Sequence, residues 1–268
     1  MMRKALLIFR LAFMERTAYR VNFMLQVAGG ILSILIVVFL WLAVYRSSGR
    51  SELGGYTLAE MITYLLGAGL INSFLLTTAE NPETSQAIQD GTLSNLLLQP
   101  FNPYWVWLLR DLAGKLFLGV IGLAGYAIVA FLLREELVLA PDPLRLVFFG
   151  AALTVAVLLQ FLTFESLSLL AFWVENTSGF RFTMRVIMEV AGGAIIPLSF
   201  FPALVQKIFA LLPFPYLVYF PMRIYLNKIE LAEVLPDLIR AAVWAAGLAG
   251  LNAVLWKRGL RRYTAMGD

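Results

Sequence analysis

Neither cysteine nor histidine occurs among the 268 residues of the chain. Without thiols there are no disulfides and no thiolate metal sites, and without imidazole there is no histidine base or ligand. Charge is scarce too. Asp, Glu, Lys and Arg make up 14% of the residues, where a soluble domain holds roughly a quarter. Hydrophobic residues reach 60%, and the mean hydropathy is +0.80. This composition excludes an ordinary soluble domain and indicates an integral membrane protein with several spans. The formal net charge of +4 does not point to nucleic acid. Basic residues of membrane proteins gather on the cytoplasmic face, beside anionic lipid.

Catalytic signatures are missing as well. Gly114-Lys115 is followed by Leu116, and position 109 is Leu, so there is no GxxxxGK[ST] phosphate loop. No HExxH, DDxxD or GxSxG pattern occurs. No convergent carboxylates or nucleophile–base pair can be read from the spacing. The chain is therefore expected to be no enzyme and to bind no metal or cofactor of its own.

What it has is long apolar runs. Spans are predicted at approximately 22–45, 56–79, 104–133, 144–174, 183–201 and 238–256, since about 20 apolar residues cross the hydrocarbon core. The basic stretch 1–21, with Arg3, Lys4, Arg10, Arg16 and Arg20, reads as an interfacial segment rather than a cleaved signal peptide. Pro197, Pro202, Pro213, Pro215 and Pro221 forbid a regular spanning helix over 197–221, which is nevertheless too apolar for a solvated loop. That stretch is predicted to be a broken, re-entrant element between the fifth and sixth spans. An even number of spans puts both termini on one side. The basic 1–21 stretch and Lys257, Arg258, Arg261 and Arg262 place that side in the cytoplasm. The expected fold is thus one all-α integral membrane domain over residues 1–268, with six transmembrane helices, N-in and C-in.

Few ionisable groups interrupt the spans. Asp111/Lys115 and Arg185/Glu189 are spaced i,i+4 and can pair along one helix face. Glu165 stands alone, with at least eight uncharged residues on either side. A carboxylate in that setting turns to the bundle interior or a polar path. Glu165, with Gln160 and Asn72, is a candidate for the lining of a cargo pathway. The same residues also fit interhelical partnership, with Arg181 or Arg185 facing Glu165. Trp41, Trp105, Trp107, Trp173 and Trp256 fall near span ends and read as interface anchors. The glycine pairs Gly67/Gly69, Gly192/Gly193 and Gly247/Gly250 read as points of close helix packing.

The loop 80–103 between the second and third spans is more than a connection. Asn81 suits an N-cap, Pro82 the first helical position, and Glu83 the first turn, where the helix dipole favours an acid. Gly91 can end that helix, and Leu93, Leu96 and Leu97 then make a second short apolar face, stopped by Pro100 and Pro103. The result is a compact knob with an apolar face, which suggests a docking partner.

The sequence of the knob, Ile88–Pro103, resembles the first cytoplasmic loop of the membrane subunits of type 2 ABC exporters. Its Gly91-Thr92-Leu93, Leu96-Leu97 and Pro100 fall on that family's pattern. Ile196–Pro221 is similar to the re-entrant helices that precede the last span in one branch of the same family. The chain is identified on these grounds as a permease subunit of an ABC-2 type transporter. The resemblance implies a separate ABC ATPase subunit in two copies, carrying ATP and Mg, and a second permease copy or paralogue. It implies that the knob is a coupling helix, with Glu83, Asp90, Gly91, Thr92, Leu93, Leu96, Leu97 and Pro100 at the ATPase contact. Gln89-Asp90 stands where the family often carries an Arg-Glu pair. The implied setting is a bacterial inner membrane with its lipids, and the implied activity is export of an amphiphilic, lipid-like or drug-like cargo. The residues alone leave open a secondary transporter or channel, a membrane scaffold or a lipid-modifying enzyme, none of which needs an ATPase.

Overall fold

The computed structural model describes residues 20–76, 82–100, 102–138 and 142–263. Helix α1, Arg20–Ser48, leads into a small hairpin whose strands Glu52–Leu53 and Tyr56–Thr57 pair antiparallel. Gly54 and Gly55 both have positive φ (58° and 84°), the geometry of a type I′ turn that residues with a Cβ resist. Helix α2, Leu58–Leu76, starts on a reciprocal cap. The Thr57 N–H donates to Glu60 Oε2 at 2.8 Å and the Glu60 N–H to Thr57 Oγ1 at 3.3 Å, satisfying two orphan donors of the first turn. Two short helices follow, α3 at Glu83–Gln89 and α4 at Leu93–Leu97. Helix α5 is Pro103–Leu132, with Asn102 accepting from the Tyr104 N–H at its start. Helix α6, Pro143–Leu169, runs on as a 3-10 turn to Phe172. Then come α7 at Ser178–Ala191, α8 at Ala203–Ala210, α9 at Tyr219–Tyr225 and α10 at Leu231–Arg262. Apart from the hairpin, the described chain has no strand. The basic segment 1–21 lies outside the described residues, except for the two with which α1 begins.

Among the described residues three helices are long and apolar enough to cross a membrane: Leu58–Leu76, Pro143–Phe172 and Leu231–Arg262. The most extensive interface joins α6 to α10. Asn252 locks it: its side chain donates to the Leu162 carbonyl at 2.9 Å and accepts from Ser166 Oγ at 2.8 Å, so the buried amide is held across the helices. Gly67 and Gly69 meet Met222 and Tyr126 so closely that a Cβ would collide, as expected of packing glycines. Gly247 and Gly250 face open space instead.

The fifth run departs from its predicted bounds of 183–201. Helix α7 starts earlier and stops at Ala191, after 14 residues, or about 21 Å of rise. Gly193, with φ of 77°, turns the backbone out of the helix, and Pro197 cannot continue it. The last helix begins at Leu231, seven residues before the apolar run suggested, because Pro236 lies close enough to its start to cost few helical bonds.

Contacts order the segment between α7 and α10 against the hairpin end of the bundle. Ser199 Oγ donates to the Gly54 carbonyl at 2.8 Å, and the rings of Trp41 and Phe200 meet edge to face at 5.2 Å. Further along α2, Tyr64 Oη donates to the Gly193 carbonyl at 2.6 Å, and Met222 covers Gly67. The chain then returns to the start of α2, where Lys228 Nζ pairs with Glu60 Oε1 at 2.6 Å. Leu204 and Leu211 of the α8 turn are more than two-thirds exposed, whereas Phe214–Leu226 contributes Phe220, Met222 and Ile224 to the main core.

Candidate functional site

The knob occupies the other end of the bundle. Helix α3 has Pro82 at its N-cap position, and the predicted cap Asn81 lies outside the described residues. The helix ends at Gln89, with Asp90 exposed at the C-cap and Gly91 at φ of 74°. That left-handed glycine makes the corner between α3 and α4, as its position in the sequence suggests. Thr92 precedes α4 without capping it through its side chain, and Pro100 lies exposed beyond it.

Of the three predicted apolar anchors, Leu93 does something else. It is fully buried, and packs with Ala87, Ile88, Trp107, Leu169 and Phe172 inside the chain. Leu96 is half-buried against the same cluster. Leu93 thus fastens the knob to its own bundle and offers nothing to a partner. The outward apolar surface belongs to Leu97, 42% exposed, and to Leu98, 85% exposed. Leu97 stands one turn beyond Leu93 at the end of the helix and Leu98 follows at its C-cap, where the cluster no longer covers them, a placement that spacing in so short a segment does not reveal. Trp107 and Trp256 are likewise no lipid anchors. Their rings meet edge to face at 5.8 Å in the cluster beneath the knob, a geometry contributing about 0.5–1.5 kcal/mol beyond burial.

Under the first turn of α3 lies a buried polar cluster. Thr84 Oγ1 donates to Glu165 Oε2 at 3.1 Å, joining the knob to the last turns of α6. Glu165 Oε1 is buried with no hydrogen-bond partner among the described residues. Arg181, buried on α7, donates to Ser168 Oγ at 2.7 Å. Lys115, with no exposed surface, pairs with Asp111 one turn back on α5 and donates to Gln160 of α6. Glu83 pairs with Arg110, tying the start of α3 to α5. Glu83, Thr84, Asp111, Gln160, Glu165 and Arg181 line a common cavity of about 40 Å³. That volume admits a few waters and no amphiphile. Asn72, half-buried on α2, does not line it.

The structure therefore gathers Glu83, Gln160 and Glu165 of the predicted residues and leaves Asn72 apart. Arg181, one of the two arginines the sequence offered as a partner for Glu165, lines the same cavity, and the structure adds Thr84 and Arg110, for which the sequence carried no signal. Beside the knob, a cleft of about 780 Å³ is floored by Ser85, Gln86 and Gln89 of α3 and walled by Glu175–Phe182. The Gln89 side chain donates across it to the Glu175 carbonyl.

Comparison with known families bears on this arrangement. No curated protein matches the chain. The description of the ABC-2 family transporter protein matches residues 31–267, a stretch that takes in the knob, the polar cluster and the broken segment alike. The chain is an integral membrane protein and belongs to the ABC-2 family of transporter proteins, as a membrane subunit without a nucleotide-binding site of its own.

Proposed function

We propose that the chain is the permease subunit of an ATP-driven exporter, and that the knob is the coupling helix on which a separate ABC ATPase acts. ATP and Mg belong to that partner, present in two copies beside a second permease copy or paralogue. The observation that carries the reading is the two-sidedness of the knob. Leu97 and Leu98 face outward, while Leu93 and Thr84 fix the same short element to the bundle. An element exposed on one side and tied to buried groups on the other can pass a push inward. A few residues commonly carry most of the energy of a docking interface, and two adjacent exposed leucines offer a partner apolar surface to bury. Glu165 and Gln160, in a cavity of water size, fit this transmission better than contact with cargo.

The proposed topology is six crossings with both termini in the cytoplasm of a bacterial cell, in its inner membrane. Residues 178–200 run from the knob end to the hairpin end, with a helix over only the first part. The segment up to Lys228 then dips to Met222 beside Gly67 and comes back to Glu60, the path of a re-entrant element. The apolar, aromatic-rich bundle suits an amphiphilic or lipid-like cargo.

The test is isolation of the chain in mild detergent from its native membranes, with ATP hydrolysis measured on the eluate. An ATP-hydrolysing subunit should accompany the wild type and be lost with Leu97→Asp/Leu98→Asp. An inactive, partner-free protein in several detergents would overturn the reading and favour a secondary transporter or scaffold.

A further inference from the structure

The end of α10 reaches the knob. Tyr263 Oη donates to the Gly91 carbonyl at 2.7 Å and accepts from the Ser94 N–H at 3.3 Å. One hydroxyl thus holds the corner between α3 and α4, donating to the Gly91 carbonyl and accepting from the Ser94 N–H, which it shares with that carbonyl at 3.3 Å. The ring is fixed as well, edge to face on Phe172 at 6.1 Å. One turn earlier Gly259 lies so close to Phe172 that a Cβ would sit 2.1 Å from its ring. Trp256 contacts Phe172 and Trp107 from the same helix. Leu255 and Leu260 close the cluster.

We infer that Tyr263 is a positioning residue that clamps the knob to the last helix, so that a displacement of the knob carries α10 with it. The inference rests on the coupling role proposed above and adds a second lever to it. Thr84 ties the knob to α6, and Tyr263 ties it to α10, the helix most extensively packed on α6. With both ties in place, α3, α4 and the ends of α6 and α10 move as one body. Without the tyrosine hydroxyl, the corner at Gly91 keeps one attachment fewer, and a push on Leu97 and Leu98 can be absorbed by bending there.

The cysteine-free sequence lets this be measured by spin labels at Asn95→Cys on the knob and Arg261→Cys on α10, both exposed positions. The complex with its ATPase is compared nucleotide-free and ATP-bound, on the otherwise native chain and with Tyr263→Phe. That variant keeps the ring and removes both hydrogen bonds. On the native background the label distance should be narrow and the same in both states. In Tyr263→Phe its distribution should broaden about twofold, as expected when bonds each holding a modest share of stability are lost. It should also shift on ATP binding, while ATPase recovery is unchanged. A native distance that changes with ATP, or a Tyr263→Phe distribution as narrow as the native one, overturns the clamp. If no ATPase accompanies the chain, the coupling reading fails. The width comparison on the chain alone then still decides whether Tyr263 holds the knob.

Discussion

A single residue of the knob shows how burial divides roles that sequence spacing treats as equal. Leu93, Leu96 and Leu97 share one pattern, yet Leu93 has no exposed surface while Leu97 and its neighbour Leu98 project outward. Leu93→Ala should cost about 2–5 kcal/mol, the range for emptying a packed leucine site. Leu98→Ala should leave the melting temperature unchanged and weaken retention of the ATPase. Thermal melts and co-purification of both variants check this; equal loss of ATPase with no loss of stability in Leu93→Ala would contradict the assignment. Thr84 makes a second case. Thr84→Val keeps the shape and removes the donor to Glu165, leaving both carboxylate oxygens of a buried side chain short of partners. A loss of about 1–3 kcal/mol is expected, with Thr84→Ser close to wild type. Melts of the purified protein in which Val and Ser behave alike would remove the Thr84–Glu165 link. At this scale, the pairs set by helical periodicity were legible. Arg185 and Glu189 do pair, at 3.2 Å, and Asp111 meets Lys115. Tyr263 was not legible, because its partners lie about 170 positions away in the chain, and nothing local marks a hydroxyl that closes such a distance.

Elements ended where backbone chemistry demanded it, and this governs which helix lengths could be foreseen. Gly91 closes α3 as its local signal suggested, whereas the Asn102 cap that starts α5 was not read from the sequence. The hairpin between α1 and α2 and the early stop of α7 were not foreseen. Hydropathy runs on through Tyr56–Thr57 and through 192–201, whereas the backbone turns at Gly54, Gly55 and Gly193. Continuous apolarity reports burial in lipid or protein and does not distinguish a helix from the irregular backbone that a bundle can shelter. Gly259 illustrates an element-scale constraint that hydropathy cannot express. Its missing side chain lets α10 rest on Phe172. Gly259→Ala should push the end of α10 away from the knob cluster and cost about 1–3 kcal/mol, as overpacking does. Adding Phe172→Leu should return part of that stability by vacating the ring edge. A Gly259→Ala protein with unaltered melting, or a double variant worse than the sum of the single changes, would show that α10 does not seat there.

For the molecule as a whole, the two ends of the bundle differ in what they join. One end gathers the hairpin, Ser199, Lys228 and the Arg145 side chain, which donates to the Ile229 carbonyl at 3.0 Å. The other gathers the knob, the Glu175–Phe182 wall and the last turns of α10, with Lys257, Arg258, Arg261 and Arg262. The topology proposed above puts this basic end in the cytoplasm, where an ATPase would have to reach Leu97 and Leu98. Single cysteines in the cysteine-free chain can read this orientation directly in intact cells. Ser51→Cys and Glu230→Cys, exposed at the hairpin end, should react with a membrane-impermeant thiol reagent added outside. Gln99→Cys and Asn176→Cys, exposed at the knob end, should react only after the cells are permeabilised. The pairing matters more than any one site. Ser51 and Glu230 are separated by four proposed crossings, so their labelling together, with Gln99 and Asn176 both protected, fits an even number of crossings between them. Labelling of Asn176 from outside would remove a crossing between the knob and α7, separate the Glu175–Phe182 wall from the knob, and break the six-span arrangement on which ATPase access to one face depends.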